Sequence, residues 1–364
     1  MLRGVCALLV VLNHIRAFVF VDFHECIQPG IAVYAFYFLA SLGHQAVIAF
    51  FALSGYLVGG RAFQSMIDGK WSSIDYAIAR LSRLWTVVLP ALIITFVLDK
   101  AGATLGGGAA YAGKYGVALA SGPLLAAPAD HSIATLLANL LFLQTITAPV
   151  YGSNGPLWSL ANEFWYYVLF PIAASTVLLR KSLLYNIIAV FVVCVLVSSL
   201  PAELLMLGSI WCGAAAIAVV SRTEKFRKTI ASSMYMTIAT IATVVCIIMG
   251  SRNSAIWISI IAGLAWSFLL PALAVRRSES KAYRQVAFGL SEISYTMYAT
   301  HFPILAFLYF VLIAPMQFQP NLEGFLIVLV LTLVTLASSS VLWWSFERNS
   351  TTIRIAISSL LHRK

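Results

Sequence analysis

Residues 323–344 read EGFLIVLVLTLVTLASSSVLWW, and after Glu323 the stretch holds no ionisable side chain. As a helix it rises roughly 30 Å, the thickness of the hydrocarbon core of a bilayer. A second run, ASSMYMTIATIATVVCIIM at 231–249, has the same character. In lipid every backbone polar group must be satisfied within the chain, so such runs are spanning helices rather than barrel strands. The rest of the 364 residues agrees, being 61% hydrophobic and only 10% charged. Soluble domains carry about a quarter charged residues, so this chain has too little polar surface to face water.

Working outward, ten spans are expected, at 4–21, 38–58, 84–98, 157–179, 183–199, 203–221, 230–249, 254–275, 289–313 and 323–344. The fold class is therefore an all-α integral membrane bundle of about ten helices. Basic residues orient it, because cytoplasmic segments are enriched in Lys and Arg. With Met1 cytoplasmic, all but four of the 23 basic residues fall on the cytoplasmic side. They include Arg61, Lys70, Arg80, Arg83, Arg180, Lys181, Arg277, Arg363 and Lys364. Lys100, Lys114 and Arg252 fall outside, and Arg16 lies within the first span. Both termini are thus expected in the cytoplasm. Residues 133–147 (IATLLANLLFLQTIT) are apolar but short. Counting them as a span would reverse every later cluster, so a re-entrant or interfacial helix is expected. The Gly/Ala-rich 101–116 reads as an outer loop. One transmembrane domain over 1–364 is expected, with no appended soluble domain.

The net charge of +10 follows from these clusters and does not indicate nucleic acid. Five cysteines show neither pairing nor metal spacing, and the four in apolar runs read as small hydrophobes; no metal site is expected. The first hydrophobic run has no small-residue cleavage site suited to a signal peptide.

Ionisable groups inside spans are costly to bury and usually face a cavity. Arg3 and His14 are eleven positions apart, about 20° past three full turns, so they share one helix face about 16 Å apart. His14 is either a catalytic imidazole or a histidine hydrogen-bonded within the bundle. Arg16 points elsewhere and reads as a residue snorkelling outward. Arg80 and Arg83, in ARLSRLW, sit side by side at the cytoplasmic mouth. They are either a fork for a polyphosphate or a topology anchor. GPLWSLANEFWYYVLFP (155–171) places Trp158, Ser159, Glu163 and Tyr167 at the outer start of a span. They suit either sugar binding and acid–base work or an aromatic belt. In GLSEISYTMYATHFPIL (289–305), Ser294, Tyr298 and His301 form a polar stripe, with His301 at a depth similar to that of His14.

These phrases, in this order, resemble the acyltransferase-3 family of membrane proteins that O-acylate glycans. RGVCALLVVLNH, FFALSGYLVGGR, ARLSRLWTVVLP, GPLWSLANEFWYYVLFP, SYTMYATHFPIL and SFERNSTTIR are each similar to a family segment. Asn162 and Tyr56 depart from its usual residues. The resemblance implies a bacterial inner-membrane enzyme. It would move an acyl group, by default acetyl, from cytoplasmic acetyl-coenzyme A to a hydroxyl of a cell-surface glycan or lipid-linked saccharide. It maps the family's arginine and histidine onto Arg3 and His14, and its arginine pair onto Arg80 and Arg83. Catalysis is then expected from His14, with Arg3 and Glu163. Donor phosphates are expected on Arg80, Arg83 and Arg61. The acceptor is expected near Ser159, Trp158, Tyr298 and His301. Two alternatives remain at this level: a proton-coupled transporter, although internal repeats are missing, and a non-catalytic membrane scaffold.

Overall fold

The computed structural model describes residues 1–115, 121–179, 181–253, 255–276 and 280–361. Arg180, Arg277, Arg363 and Lys364 of the expected cytoplasmic clusters, and Gly116 of the Gly/Ala-rich stretch, lie outside the described residues. The chain is an all-α membrane protein. Eight of its described helical stretches are long and apolar enough to cross a bilayer. Two expected spans are not among the eight. Leu183–Ser199 is apolar but has 17 residues, and Trp158–Leu178 starts with the polar positions Ser159, Asn162 and Glu163.

The chain divides into two compact units. The first comprises Met1–Gly43, Ile78–Ala161 and Gln285–Lys364. It contains α1 (Leu2–Val19), α2 (Ile31–Ser41), most of α5 (Ser73–Gly102), α6 (Gly108–Tyr111) and α7 (Ile133–Leu140). It also contains the first turn of α8 (Trp158–Leu178), most of α14 (Lys281–Leu312), α15 (Leu322–Ser345) and α16 (Ser350–Leu361). The expected non-spanning segment at 133–147 is the eight-residue α7 followed by turns, about 12 Å of helix and too short to cross. The expected outer loop at 101–116 is instead largely helical. α5 runs on to Gly102, a π-helical turn follows at Ala103–Gly107, and α6 continues to Tyr111, with turns at 112–115. The break falls at Gly106, whose φ of 110° suits a residue without Cβ.

α14 is the centre of the first unit. Every residue from Ser294 to Ala306 is buried, and a helix buried all round belongs in the middle of a bundle. α1 lies against it. A Cβ on Gly4 would strike the backbone of Leu290, and further along the same two helices His14 stacks on His301. The contact thus advances by ten residues on α1 and eleven on α14, so the helices run parallel and in register over about 15 Å. Beyond His14 the end of α1 is tied to the segment after α14: Phe318 donates its N–H to Val19 O at 2.7 Å, and Gln317 Nε2 donates to Ala17 O at 2.8 Å.

The second unit comprises His44–Ala77 and Asn162–Arg284. It holds α3 (Gly43–Ser54), α4 (Gly60–Ile67), the rest of α8, α9 (Leu183–Ser199), α10 (Ala202–Val220), α11 (Glu224–Ala231), α12 (Ser233–Arg252) and α13 (Ile256–Val275). Its densest packing surrounds α10. α3 ends in a π-helical turn, Gly55–Gly59, where Gly55-x-x-x-Gly59 and Gly60 admit Trp211, Ala215 and Ala218. Lipid supplies no hydrophobic drive between helices, so close backbone approach through small residues is what holds such a pair.

Candidate functional site

His14 and His301 occupy the core of the first unit. Their ring centroids are 5.3 Å apart with 33° between planes, and the edge of Phe302 packs on His14 at 5.0 Å. His301 has no solvent exposure and His14 has 7%. The Nδ1 of His301 contacts the carbonyl oxygens of Tyr298 at 2.8 Å and Met297 at 3.0 Å. Carbonyls only accept, so this nitrogen carries the proton, and a neutral His301 presents a lone pair at Nε2. That Nε2, and Nδ1 of His14, are buried with no hydrogen-bond partner among the described residues. Leaving such an atom unmatched costs about 1–3 kcal/mol, a penalty accepted where a ligand or reacting group will supply the partner.

The expected acceptor residues Ser159 and Tyr298 meet beside this pair. Ser159 Oγ and Tyr298 OH are 2.6 Å apart, and the Tyr298 ring lies 6.0 Å from that of His301. Trp158 opens α8 and is half-buried. A network absent from the sequence reading fixes the segment leading to Ser159. The buried Asp99 carboxylate, on α5, accepts from Ser153 N–H at 2.7 Å and Ser153 Oγ at 2.6 Å, and pairs with His131 Nε2 at 2.8 Å. Next to it, Asn154 Nδ2 donates to Ala299 O at 2.9 Å and to Thr95 Oγ1 at 3.1 Å. Ala299 needs this donor because Pro303, four residues on, has no N–H to return to it.

A cavity of about 260 Å³ in the same unit is lined by Arg3, Arg80, Arg83, Arg348, Arg354 and Glu347, among others. The expected phosphate pair Arg80 and Arg83, from α5, is thus joined in one cavity by Arg3, from α1. Arg83 lies over the Tyr295 ring at 5.6 Å. Arg80 Nε is buried with no partner among the described residues, as an arginine awaiting an anion would be. Glu347 is anchored by Thr296, accepting its hydroxyl at 2.6 Å and its N–H at 3.1 Å, and it interacts electrostatically with Arg83 and Arg3. Two helices lead inward from the cavity. Arg3 to His14 along α1 comes to about 16 Å, and Ser291 to His301 along α14 to about 15 Å. In the sequence Arg348 and Arg354 count among the cytoplasmic charges and lie within the family-like SFERNSTTIR, with no ligand assigned to them. They reach the cavity because the chain turns at Glu347–Asn349 directly after α15.

Glu163 and Arg61 belong to the second unit. Glu163 Oε1 accepts from Ser54 Oγ at 2.6 Å and from Tyr167 OH at 2.5 Å. Trp211 Nε1 donates to Ser54 at 3.2 Å. Ser54 and Trp211 were missed by sequence reasoning, although Ser54 directly precedes the small-residue pair Gly55 and Gly59. Arg61 is the second residue of α4 and is not among the residues lining the arginine cavity.

Among the described residues no group of three or more His, Cys, Asp or Glu side chains is arranged to hold a metal ion. In comparisons with known proteins, no curated protein and no solved structure matches the chain. The acyltransferase-3 family model, described as an acyltransferase domain, matches residues 1–344. The match takes in both histidines, Glu163 and the first three arginines of the cavity, and with nearly the whole chain covered, this membrane protein belongs to the acyltransferase-3 family.

Proposed function

We propose that this membrane acyltransferase carries an acyl group, acetyl by the family resemblance, from cytoplasmic acyl-coenzyme A to a hydroxyl of a cell-surface glycan or lipid-linked saccharide in a bacterial inner membrane. The observation that carries the reading is the buried His14–His301 pair with its unmatched nitrogens, joined by α1 and α14 to a cavity of arginines. Both ends of the donor then have a place. Its phosphates bind Arg3, Arg80 and Arg83, and Arg forks suit phosphate oxygens. Its thioester extends along α1 towards His14.

The chemistry needs a base for the acceptor hydroxyl and a proton for the leaving thiolate. His14 takes the hydroxyl proton as the oxygen attacks the thioester carbonyl. The C–S bond breaks, and the proton passes from His14 to sulfur, giving an ester and coenzyme A. The lone pair on His301 Nε2 favours a proton residing on His14 during this exchange. Tyr298 and Ser159 offer hydroxyls for hydrogen bonding the acceptor, with Trp158 as an apolar face. Within the second unit, Glu163, aligned by Ser54 and Tyr167, serves as a further catalytic carboxylate, and Arg61 as an additional cytoplasmic cation.

The test uses full-length protein in nanodiscs, acetyl-coenzyme A labelled in the acetyl group, and a panel of bacterial glycans. Label should appear on a glycan with wild type and fall to background with His14→Ala. Equal transfer by both proteins would refute the assignment of His14. Label retained on coenzyme A with every acceptor would refute the glycan reading.

A further inference from the structure

The family match ends at residue 344, yet part of the arginine cavity is built beyond it. Arg348 and Arg354 line it, together with the Ser350 and Thr351 hydroxyls of the first turn of α16. Arg348 is held in place, its guanidinium stacked 4.1 Å from the ring centroid of Trp344. The cavity therefore carries two groups of cations from separate segments. One is Arg3, Arg80 and Arg83; the other is Arg348 and Arg354. Two glutamates also line it, Glu292 and Glu347, so positive charge remains in excess.

We infer that Arg348 and Arg354 recognise the 3′-phosphate of the donor's ribose, making the enzyme selective for coenzyme A over carriers that lack this group. The inference rests on the acyl-coenzyme A reading above. A coenzyme A headgroup has two anionic centres: the pyrophosphate and the 3′-phosphate, the latter a monoester carrying nearly two charges near neutral pH. The ligand's own connectivity assigns them. The pantetheine arm leaves from the pyrophosphate and must run inward to His14, so the pyrophosphate belongs with Arg3, which shares a helix face with His14, and with Arg80 and Arg83. The 3′-phosphate is on the ribose, away from the arm, and falls to the cations that follow the end of α15. Ser350 and Thr351 add donors there, and Trp343, which also lines the cavity, offers an apolar face to the adenine. A cavity of about 260 Å³ lies just below the usual range for sites that enclose a whole small molecule. It suits a headgroup whose arm continues elsewhere.

Equilibrium binding separates the possibilities, using full-length protein in phosphatidylcholine nanodiscs with coenzyme A and 3′-dephospho-coenzyme A. Wild type should prefer coenzyme A by about tenfold or more, the scale of one or two charge-assisted phosphate contacts. In Arg348→Gln/Arg354→Gln, affinity for coenzyme A should drop to that for the dephospho form. Arg348→Lys/Arg354→Lys should keep part of the preference, which controls for folding. Arg80→Ala/Arg83→Ala should weaken both ligands. If wild type binds both ligands equally, or the double Gln variant still prefers coenzyme A, the 3′-phosphate assignment is overturned while the donor reading stands. Wild type binding neither ligand would overturn the donor reading itself.

Discussion

The imidazoles of His14 and His301 face each other at 5.3 Å on two parallel helices. Groups this close act as a unit, and removing either should disable the same step. His14→Ala is expected to lower acyl transfer by about 10²–10⁴, the usual worth of a general base. His301→Ala should fall in a comparable range. The double variant should be only a few-fold slower than the worse single, and coenzyme A affinity should stay near wild type in all three. Single-turnover rates and donor binding measured on the same preparations check this. Fully multiplicative losses would mean that the two rings serve separate steps.

The second unit depends on close approach at Gly55, where a Cβ would meet the backbone of Trp211, whereas a Cβ on Gly30 meets nothing. Backbone cannot move aside as a flexible side chain can. Gly55→Ala should therefore lower the thermal midpoint in detergent and the yield of monodisperse protein, while Gly30→Ala leaves both unchanged. Trp211 also holds Ser54, so surviving Gly55→Ala protein should show reduced transfer through the misaligned Glu163.

The membrane class and the residues of the histidine pair could be read from sequence because their signals are periodic. Arg3 and His14 share a face by helix geometry alone, and His301 recurs on the stripe with Ser294 and Tyr298. The Asp99–Ser153–His131 cluster could not be read that way. Its members come from one helix and two loop positions, and side-chain bonds over 54 and 32 residues leave no periodic trace. The Gly/Ala stretch at 101–116 was misread because glycine lowers helix propensity, yet packing of α5 and α6 carries the helix through most of it. Arg348 and Arg354 were hidden by the positive-inside rule, which explains a cytoplasmic arginine equally well whether or not it binds anything.

Asp130 gives a pH dependence outside the spans. The Thr135 hydroxyl, then Ser132, hydrogen-bond its carboxylate and hold its pKa below the ordinary value. A depressed folded-state pKa means that the stabilisation is fully present above the unfolded value, near 4, and is lost as pH falls through the folded value. The first turn of α7, capped by Ser132, should thus stay protected at pH 6 and open in stronger acid. Hydrogen exchange of 133–140, corrected for intrinsic rates, reads this directly. Asp130→Asn should remove the pH dependence and leave uniformly weaker protection.

Asn154 offers the sharpest structural test, because its role follows from a missing atom. Pro303 has no N–H, so the Ala299 carbonyl takes its hydrogen bond from Asn154 Nδ2 at 2.9 Å. Asn154→Ala leaves that buried carbonyl unmatched, at a cost of about 1–3 kcal/mol. It also loosens the segment before Ser159, so transfer should slow as well. Pro303→Ala returns an N–H four residues after Ala299 and gives the carbonyl a helical partner. In that background Asn154→Ala should cost less, so the two substitutions should show a favourable coupling in a thermodynamic cycle. Unfolding of all four proteins in one detergent measures it. Strict additivity would show that Asn154 matters through Thr95 alone and that the proline-freed carbonyl does not depend on it.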